Sequence, residues 1–81
     1  MIVWLLLDYL EGGDTYTVEG VFASREGAVA AFQQIADQAI EDSADDPDVE
    51  VEVGWDDENS PVIYEGSSAW YFSIEEVVVN P

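Results

Sequence analysis

A single basic side chain, Arg25, stands against nineteen Asp and Glu residues in this chain of 81 residues, which gives a formal net charge of −18. With one such cation, at most one or two carboxylates can be paired, so the others must stay solvated, screened by counterions or opposed by a partner. Cysteine is absent, which excludes a disulfide framework and a thiolate metal site. The fold must therefore rest on apolar burial, and a hydrophobic content of 48% makes that feasible.

The first half of the chain predicts two strands followed by a helix. A near-continuous apolar run at residues 2–9 is typical of a central strand covered on both faces. The pair Gly12-Gly13 predicts a tight hairpin turn into a second strand at residues 15–22. Ser24 is the predicted N-cap of a helix that runs to about residue 41, with Phe32 and Ile35 on its buried face.

The second half predicts three more strands, at residues 49–55, 62–65 and 69–79, with an interruption of the last near Glu75 and Glu76 left open. The fold class is therefore α+β, one helix packed on a mainly antiparallel sheet in the order ββαβββ, within one domain over residues 1–81. Four aromatic residues fall at expected core positions, namely Trp4, Phe22, Phe32 and Trp55.

Residues 37–58 carry eleven of the nineteen acidic residues. On the predicted third strand, Asp48, Glu50 and Glu52 alternate with valines, so they would project from one face at intervals of about 6.5 to 7 Å. That spacing is broadly comparable to the spacing of phosphates along a nucleic acid strand. The row is either an imitation of a nucleic acid backbone or simply the polar face of an amphipathic strand.

Acidic residues also crowd the predicted C-terminal end of the helix, where free carbonyl groups favour cations. Proteins break such local rules chiefly at functional sites, although an acidic bias of a whole proteome would give the same pattern. In the run Trp70-Tyr71-Phe72, the three side chains cannot all point to one face of a strand, so at least one is expected at the surface as an interface anchor. The predicted partner-binding residues are Asp37, Glu41, Asp42, Asp45, Asp46, Asp48, Glu50, Glu52, Asp56, Asp57, Glu58, Trp70 and Tyr71. Glu11, Glu19 and Glu65 are predicted to lie away from them.

Several classes of function are disfavoured. Without histidine, general acid-base catalysis lacks its usual side chain, and a chain of this size leaves little room for a substrate cleft, so we predict that the protein is not an enzyme. The acidic stretches lack the spacing of an EF-hand, so no metal and no cofactor are predicted. The charge disfavours direct binding to nucleic acid or to an anionic membrane. The apolar run is too short to span a membrane and no basic segment precedes it, which predicts a cytoplasmic protein.

In size, acidity, lack of cysteine and charge pattern, the chain resembles the DNA-mimic inhibitors that phages deploy against host defence, of the anti-CRISPR and anti-restriction type. The resemblance implies a nucleic-acid mimic, monomeric or homodimeric, that acts in the host cytoplasm. Its expected partner is a basic protein surface such as a nuclease or CRISPR effector.

Residues 3–28, with the segment Gly20-Val21-Phe22-Ala23-Ser24-Arg25-Glu26-Gly27-Ala28, are similar to small uncharacterised ββα domains of bacteria and archaea. That likeness informs the fold and leaves function open. The alternative function is a small regulatory or structural domain from a halophilic organism, acidic through adaptation of its whole proteome. The absence of lysine fits this alternative, whereas the clustering of acids in the middle third of the chain does not.

Overall fold

One helix lies on a five-stranded antiparallel sheet in the computed structural model, which describes residues 1–10 and 16–80. The spatial order of the strands is β2-β1-β5-β4-β3. The α+β class and the chain order ββαβββ are confirmed, whereas the predicted turn at Gly12-Gly13 lies outside the described residues. The elements are β1 (Ile2–Leu10), β2 (Thr17–Phe22), α1 (Arg25–Ser43), β3 (Val51–Trp55), β4 (Pro61–Glu65) and β5 (Ser68–Val78).

Helix α1 begins as the sequence predicts. The Ser24 side chain accepts a hydrogen bond from the backbone N–H of Gly27 at 3.1 Å, which satisfies one of the free donors of the first turn. The helix runs two residues beyond the predicted end, to Ser43, and its last turn contains no basic residue. Its C-terminal carbonyl groups therefore lack the cation that would complement them.

The core lies between α1 and one face of the sheet. Phe32 is fully buried and its ring meets the ring of Phe72 edge-on at 4.9 Å between centroids. Ile35, Trp4 and Phe22 pack against this core but are only partly buried. The other buried residues of the cluster are Leu6, Ala28, Ala36, Ile63 and Ile74.

The prediction that Trp55 is a core residue is wrong, since its side chain is 43% exposed. Trp55 lies at the end of β3, an edge strand, so only one neighbouring strand shields it. One side of its ring still packs edge-on against Phe32, with centroids 5.6 Å apart.

Strand β1 is covered on one face only, which corrects the prediction of cover on both. It lies between β2 and β5, and its residues Trp4 and Leu6 pack on the side of α1. Its odd-numbered residues face away, and among the described residues no helix or strand covers them. Neighbours within the sheet shield them instead: Tyr9 meets the ring of Tyr16 at 4.9 Å and stacks on Tyr71 at 5.5 Å. The outward-facing residues of β1 are Val3, Leu5, Leu7 and Tyr9.

A β-bulge interrupts the pairing of β1 with β2. Leu6 pairs with Gly20 and the next residue, Leu7, pairs with Val18, so Glu19 has no residue opposite it. Such a bulge changes the face to which the extra residue points. A side chain at Gly20 would force the ring of Phe22 to move, because an added Cβ would lie 2.6 Å from that ring.

Strand β3 begins at Val51, later than predicted, so the expected row of three carboxylates on one strand is not formed. Only Glu52 lies on β3, whereas Asp48 and Glu50 precede it. A local turn accounts for the difference, because the Asp46 side chain accepts a hydrogen bond from the Asp48 N–H at 3.0 Å. Aspartate favours such turns through this bond to its own backbone. Strand β5 is continuous through Glu75 and Glu76.

Candidate acidic binding site

The residues predicted to bind a partner are divided between two opposite ends of the sheet. The β3–β4 hairpin pairs Val51 with Glu65 at one end and Trp55 with Pro61 at the other. The four steps from Val51 to Trp55 span about 13 Å. The acids before β3 and those after it therefore do not form one continuous surface.

The first group, which we call the helix-end cluster, combines the last turn of α1 with the loop that follows it. Every member is exposed to solvent. Gln38 donates a hydrogen bond from its side-chain amide to the carboxylate of Asp42 at 2.9 Å, a contact that leaves the negative charge in place. The helix-end cluster consists of Glu41, Asp42, Asp45, Asp46, Asp48 and Glu50.

The second group, which we call the distal loop, is Asp56, Asp57 and Glu58, and it lies beside the start of α1. Arg25 donates from Nε to the side-chain oxygen of Asn59 at 2.9 Å and from Nη2 to the backbone carbonyl of Glu58. Both acceptors are uncharged. The one basic side chain of the protein thus holds this loop against the helix, at the end remote from the helix-end cluster.

A cavity of about 630 Å³ opens between the C-terminal half of α1 and the sheet. Its volume lies in the range of about 300 to 1,000 Å³ that is usual for ligand sites, so the expectation that the chain has little room for a cleft is wrong. Apolar, amide and carboxylate side chains line it together. The residues of this acidic cavity are Leu6, Glu19, Ala31, Gln34, Ile35, Gln38, Ala39, Asp42, Glu65 and Trp70.

Two residues predicted to lie away from the acidic cluster share a cavity with one of its members. Glu19 and Glu65 line the acidic cavity together with Asp42, and Ser43 at the end of α1 contacts the carboxylate of Glu65 at 3.4 Å. Regular alternation along β2 cannot reveal the position of Glu19, because the bulge decides it. Glu11, the third residue of that set, lies outside the described residues.

Beside the acidic cavity, Asp8 connects Glu19 to Trp70. The indole N–H of Trp70 donates to Oδ2 of Asp8 at 2.8 Å, whereas Oδ1 of Asp8 is buried without a hydrogen-bond partner. The pKa of Glu19 is raised above its ordinary value, first by burial and then by the neighbouring carboxylate of Asp8, which favours the protonated form of Glu19. Two carboxylates so close together repel each other, and a cation beside them would offset that repulsion. In the sequence, this arrangement is indicated only by Asp8 itself, which is the one acidic residue within the apolar run of β1.

The remaining predicted residues lie elsewhere. Trp70 is half-buried on the helix side, with its ring 4.8 Å from that of Phe72, and Tyr71 is on the opposite face against Tyr9. The two aromatic residues therefore do not form one surface anchor. Asp37 lines a separate, smaller cavity of about 260 Å³ beside Trp55.

Comparisons with protein-family models, with curated proteins and with solved structures found no match. In the described part of the chain, no helix has the length and hydropathy needed to cross a membrane. Among residues 1–10 and 16–80, no three acidic side chains are grouped closely enough to hold a metal ion.

Proposed function

We propose that this protein is an acidic binding protein that acts as a nucleic-acid mimic. The helix-end cluster occupies the basic groove of a DNA- or RNA-binding defence protein, such as a nuclease or CRISPR effector, and blocks it by competition. The partner is a protein surface, and the chain catalyses no reaction.

The observation that supports the proposal most directly is the position of Arg25. Its guanidinium group is hydrogen-bonded in the distal loop, so the helix-end cluster has no basic side chain of this chain to oppose it. A row of exposed carboxylates at the end of a helix is unfavourable to that helix. A basic partner would remove the repulsion, and the complementary charge would accelerate its association.

The alternative, a regulatory or structural domain of a halophilic organism, is favoured by a different observation. Acidic residues occur at both ends of the sheet, since Asp56, Asp57 and Glu58 lie about 13 Å or more from the helix-end cluster. A spread of this kind is what adaptation of a whole proteome produces.

The deciding experiment compares two variants with the same change in net charge. In the first, Asp45→Asn, Asp46→Asn, Asp48→Asn and Glu50→Gln neutralise four acids of the helix-end cluster. In the second, Glu26→Gln, Asp56→Asn, Asp57→Asn and Glu58→Gln neutralise four acids at the opposite end. A pulldown from a nuclease-bearing host lysate identifies the partner, and binding of each purified variant to that partner is then measured.

We expect the first variant to lose binding and to remain folded, because exposed carboxylates contribute little to stability and asparagine at position 46 keeps the side-chain oxygen that accepts from the Asp48 N–H. The second variant should bind only modestly more weakly, since salt screens charges beyond about 8 Å. Binding of the unmodified protein should weaken steeply as salt rises, and nucleic acid should compete with it. The proposal is wrong if both variants bind equally well, or if the partner holds this protein and its nucleic acid together at full strength.

A further inference from the structure

Two kinds of side chain line the acidic cavity, and together they indicate which chemical class of ligand would fit. Ile35, Ala39 and the indole of Trp70 supply apolar surface, whereas Glu19, Asp42 and Glu65 supply carboxylates. The three carboxylates are exposed to solvent, so a purely apolar ligand would leave their negative charge unopposed, and an anion would be repelled. The chemistry that satisfies both kinds of side chain is an alkyl stem that carries a positive charge.

The neighbouring Asp8 points to the same chemistry by an independent observation. Its Oδ1 is buried and accepts no hydrogen bond, although its other oxygen is held by the Trp70 indole N–H at 2.8 Å. A buried carboxylate oxygen left without a donor is costly. Asp8 does not itself line the acidic cavity, but a positive charge held at Glu19 would also act on it, because Glu19 lines the cavity and the Asp8 carboxylate is close enough to raise the pKa of Glu19.

We propose that the acidic cavity receives the cationic side chain of a lysine or arginine of the partner, with the stem against Ile35, Ala39 and Trp70 and the charged group at Glu19. Lysine and arginine side chains bury their stems along apolar surface in this way, and an indole ring attracts a nearby cation. This inference rests on the proposed function, because it describes how the acidic cavity, beside the helix-end cluster, binds a side chain of the same basic partner. Electrostatic mimicry alone would need no cavity.

The test uses the full chain without its partner and is therefore independent of the partner's identity. The probes are Nα-acetyl-lysine amide and Nα-acetyl-arginine amide, whose side chains keep their positive charge. The control probe is Nα-acetyl-norleucine amide, which has a similar stem without the charge. The readout is the indole N–H signal of Trp70 in a ¹H-¹⁵N correlation spectrum, assigned with Trp70→Phe. We expect at least one cationic probe to shift this signal in a saturable way in the millimolar range, and the norleucine probe to leave it unchanged.

Two variants with the same change in charge then locate the contact. Glu19→Gln should weaken binding of the cationic probe about two- to fivefold, the range expected for a partly exposed ion pair, whereas Glu58→Gln in the distal loop should leave it unchanged. Binding should also weaken as acid protonates the groups that face the cavity, which are Glu19 from β2, Asp42 from α1 and Glu65 from β4, with Asp8 of β1 behind them. Glu19→Gln should reduce this pH dependence.

The inference is overturned if neither cationic probe shifts the Trp70 signal, if the norleucine probe shifts it equally, or if both variants weaken binding to the same extent. Those results would leave the proposed function in place, provided that the helix-end variant still loses the partner. Conversely, a saturable shift that depends on Glu19, together with a helix-end variant that keeps the partner, would support the cavity and contradict the mimicry.

Discussion

Glu19 shows how the surroundings of one residue change its chemistry. The bulge between β2 and β1 leaves it without a residue opposite, and it lines the acidic cavity beside Leu6 and Trp70. Burial, followed by the neighbouring carboxylate of Asp8, raises its pKa. The residue as a whole is nevertheless exposed, so solvent screens the effect and its contribution to stability is small.

The raised pKa of Glu19 predicts how the free energy of unfolding depends on pH. Below the ordinary pKa near 4.5, Glu19 is protonated in both the folded and the unfolded chain, and its favourable contribution is fully present. As pH rises through the higher pKa of the folded state, the native protein must give up a proton that it holds more tightly, so this contribution is lost. Glu19→Gln should therefore raise the free energy of unfolding at neutral pH, and the gain should vanish in acid.

Urea denaturation across this pH range measures the difference between Glu19→Gln and the unmodified chain. Glu75→Gln, an exposed glutamate on the sheet face away from α1, is the control for the general relief of charge repulsion. An identical pH profile for the two variants would contradict the special environment of Glu19.

At the scale of the element, α1 carries a negative side chain at each end, with opposite consequences. Glu26 lies in the first turn, where free N–H groups carry partial positive charge, and Glu41 lies in the last turn, where no basic residue is present. The first interaction is favourable and the second unfavourable. The helix persists because Phe32 and its neighbours bury apolar surface against the sheet.

This arrangement predicts opposite effects for two substitutions of the same chemistry. Glu41→Gln should raise the free energy of unfolding by about 0.3 to 1 kcal/mol, and Glu26→Gln should shift it by a similar amount in the opposite direction, relative to the general gain that each variant shares. Urea denaturation at low ionic strength measures both values. The gap between the two variants should close at high salt, and a gap of the reverse sign would be inconsistent with the helix-dipole explanation.

At the scale of the whole molecule, a net charge of −18 works against the compact state through self-repulsion. The single basic side chain is hydrogen-bonded in the distal loop, so carboxylates elsewhere depend on water and counterions. The sheet face away from α1 adds exposed apolar and aromatic side chains, including Val21 and Tyr16, which are 60% and 62% exposed. Apolar burial between α1 and the other face supplies most of the stability.

A salt titration of the melting temperature distinguishes the two functions. A nucleic-acid mimic should stay folded at about 10 mM salt, where charges act over about 30 Å, and its melting temperature should rise only moderately as salt screens the repulsion. A halophilic domain should unfold at low ionic strength and recover in molar salt. Circular dichroism on heating measures both, and unfolding at low salt would favour the halophilic alternative.

Local patterns along the chain determined the elements of this fold. The apolar stripe of α1, the Ser24 cap and the period-two alternation of the strands act over a few residues, so each is legible in the sequence. The concentration of acids in residues 37–58 could also be seen in the sequence, because these residues follow one another closely in the chain. Predictions failed where contacts between residues far apart in the chain decide the outcome, as for Trp55 on an edge strand and for the uncovered face of β1.

Only the tertiary structure decided which acids meet. Asp42, Glu65 and Glu19 line one cavity because the strand order β2-β1-β5-β4-β3 and the bulge at Glu19 place them there. By contrast, Glu52 and Asp56, only four positions apart in the chain, belong to different ends of β3. Register and strand order depend on pairings between residues far apart in the chain, and no local periodicity encodes them. The sequence by itself therefore determined that the protein is acidic and α+β, and the packing of α1 on the sheet decided which of its acids line one cavity.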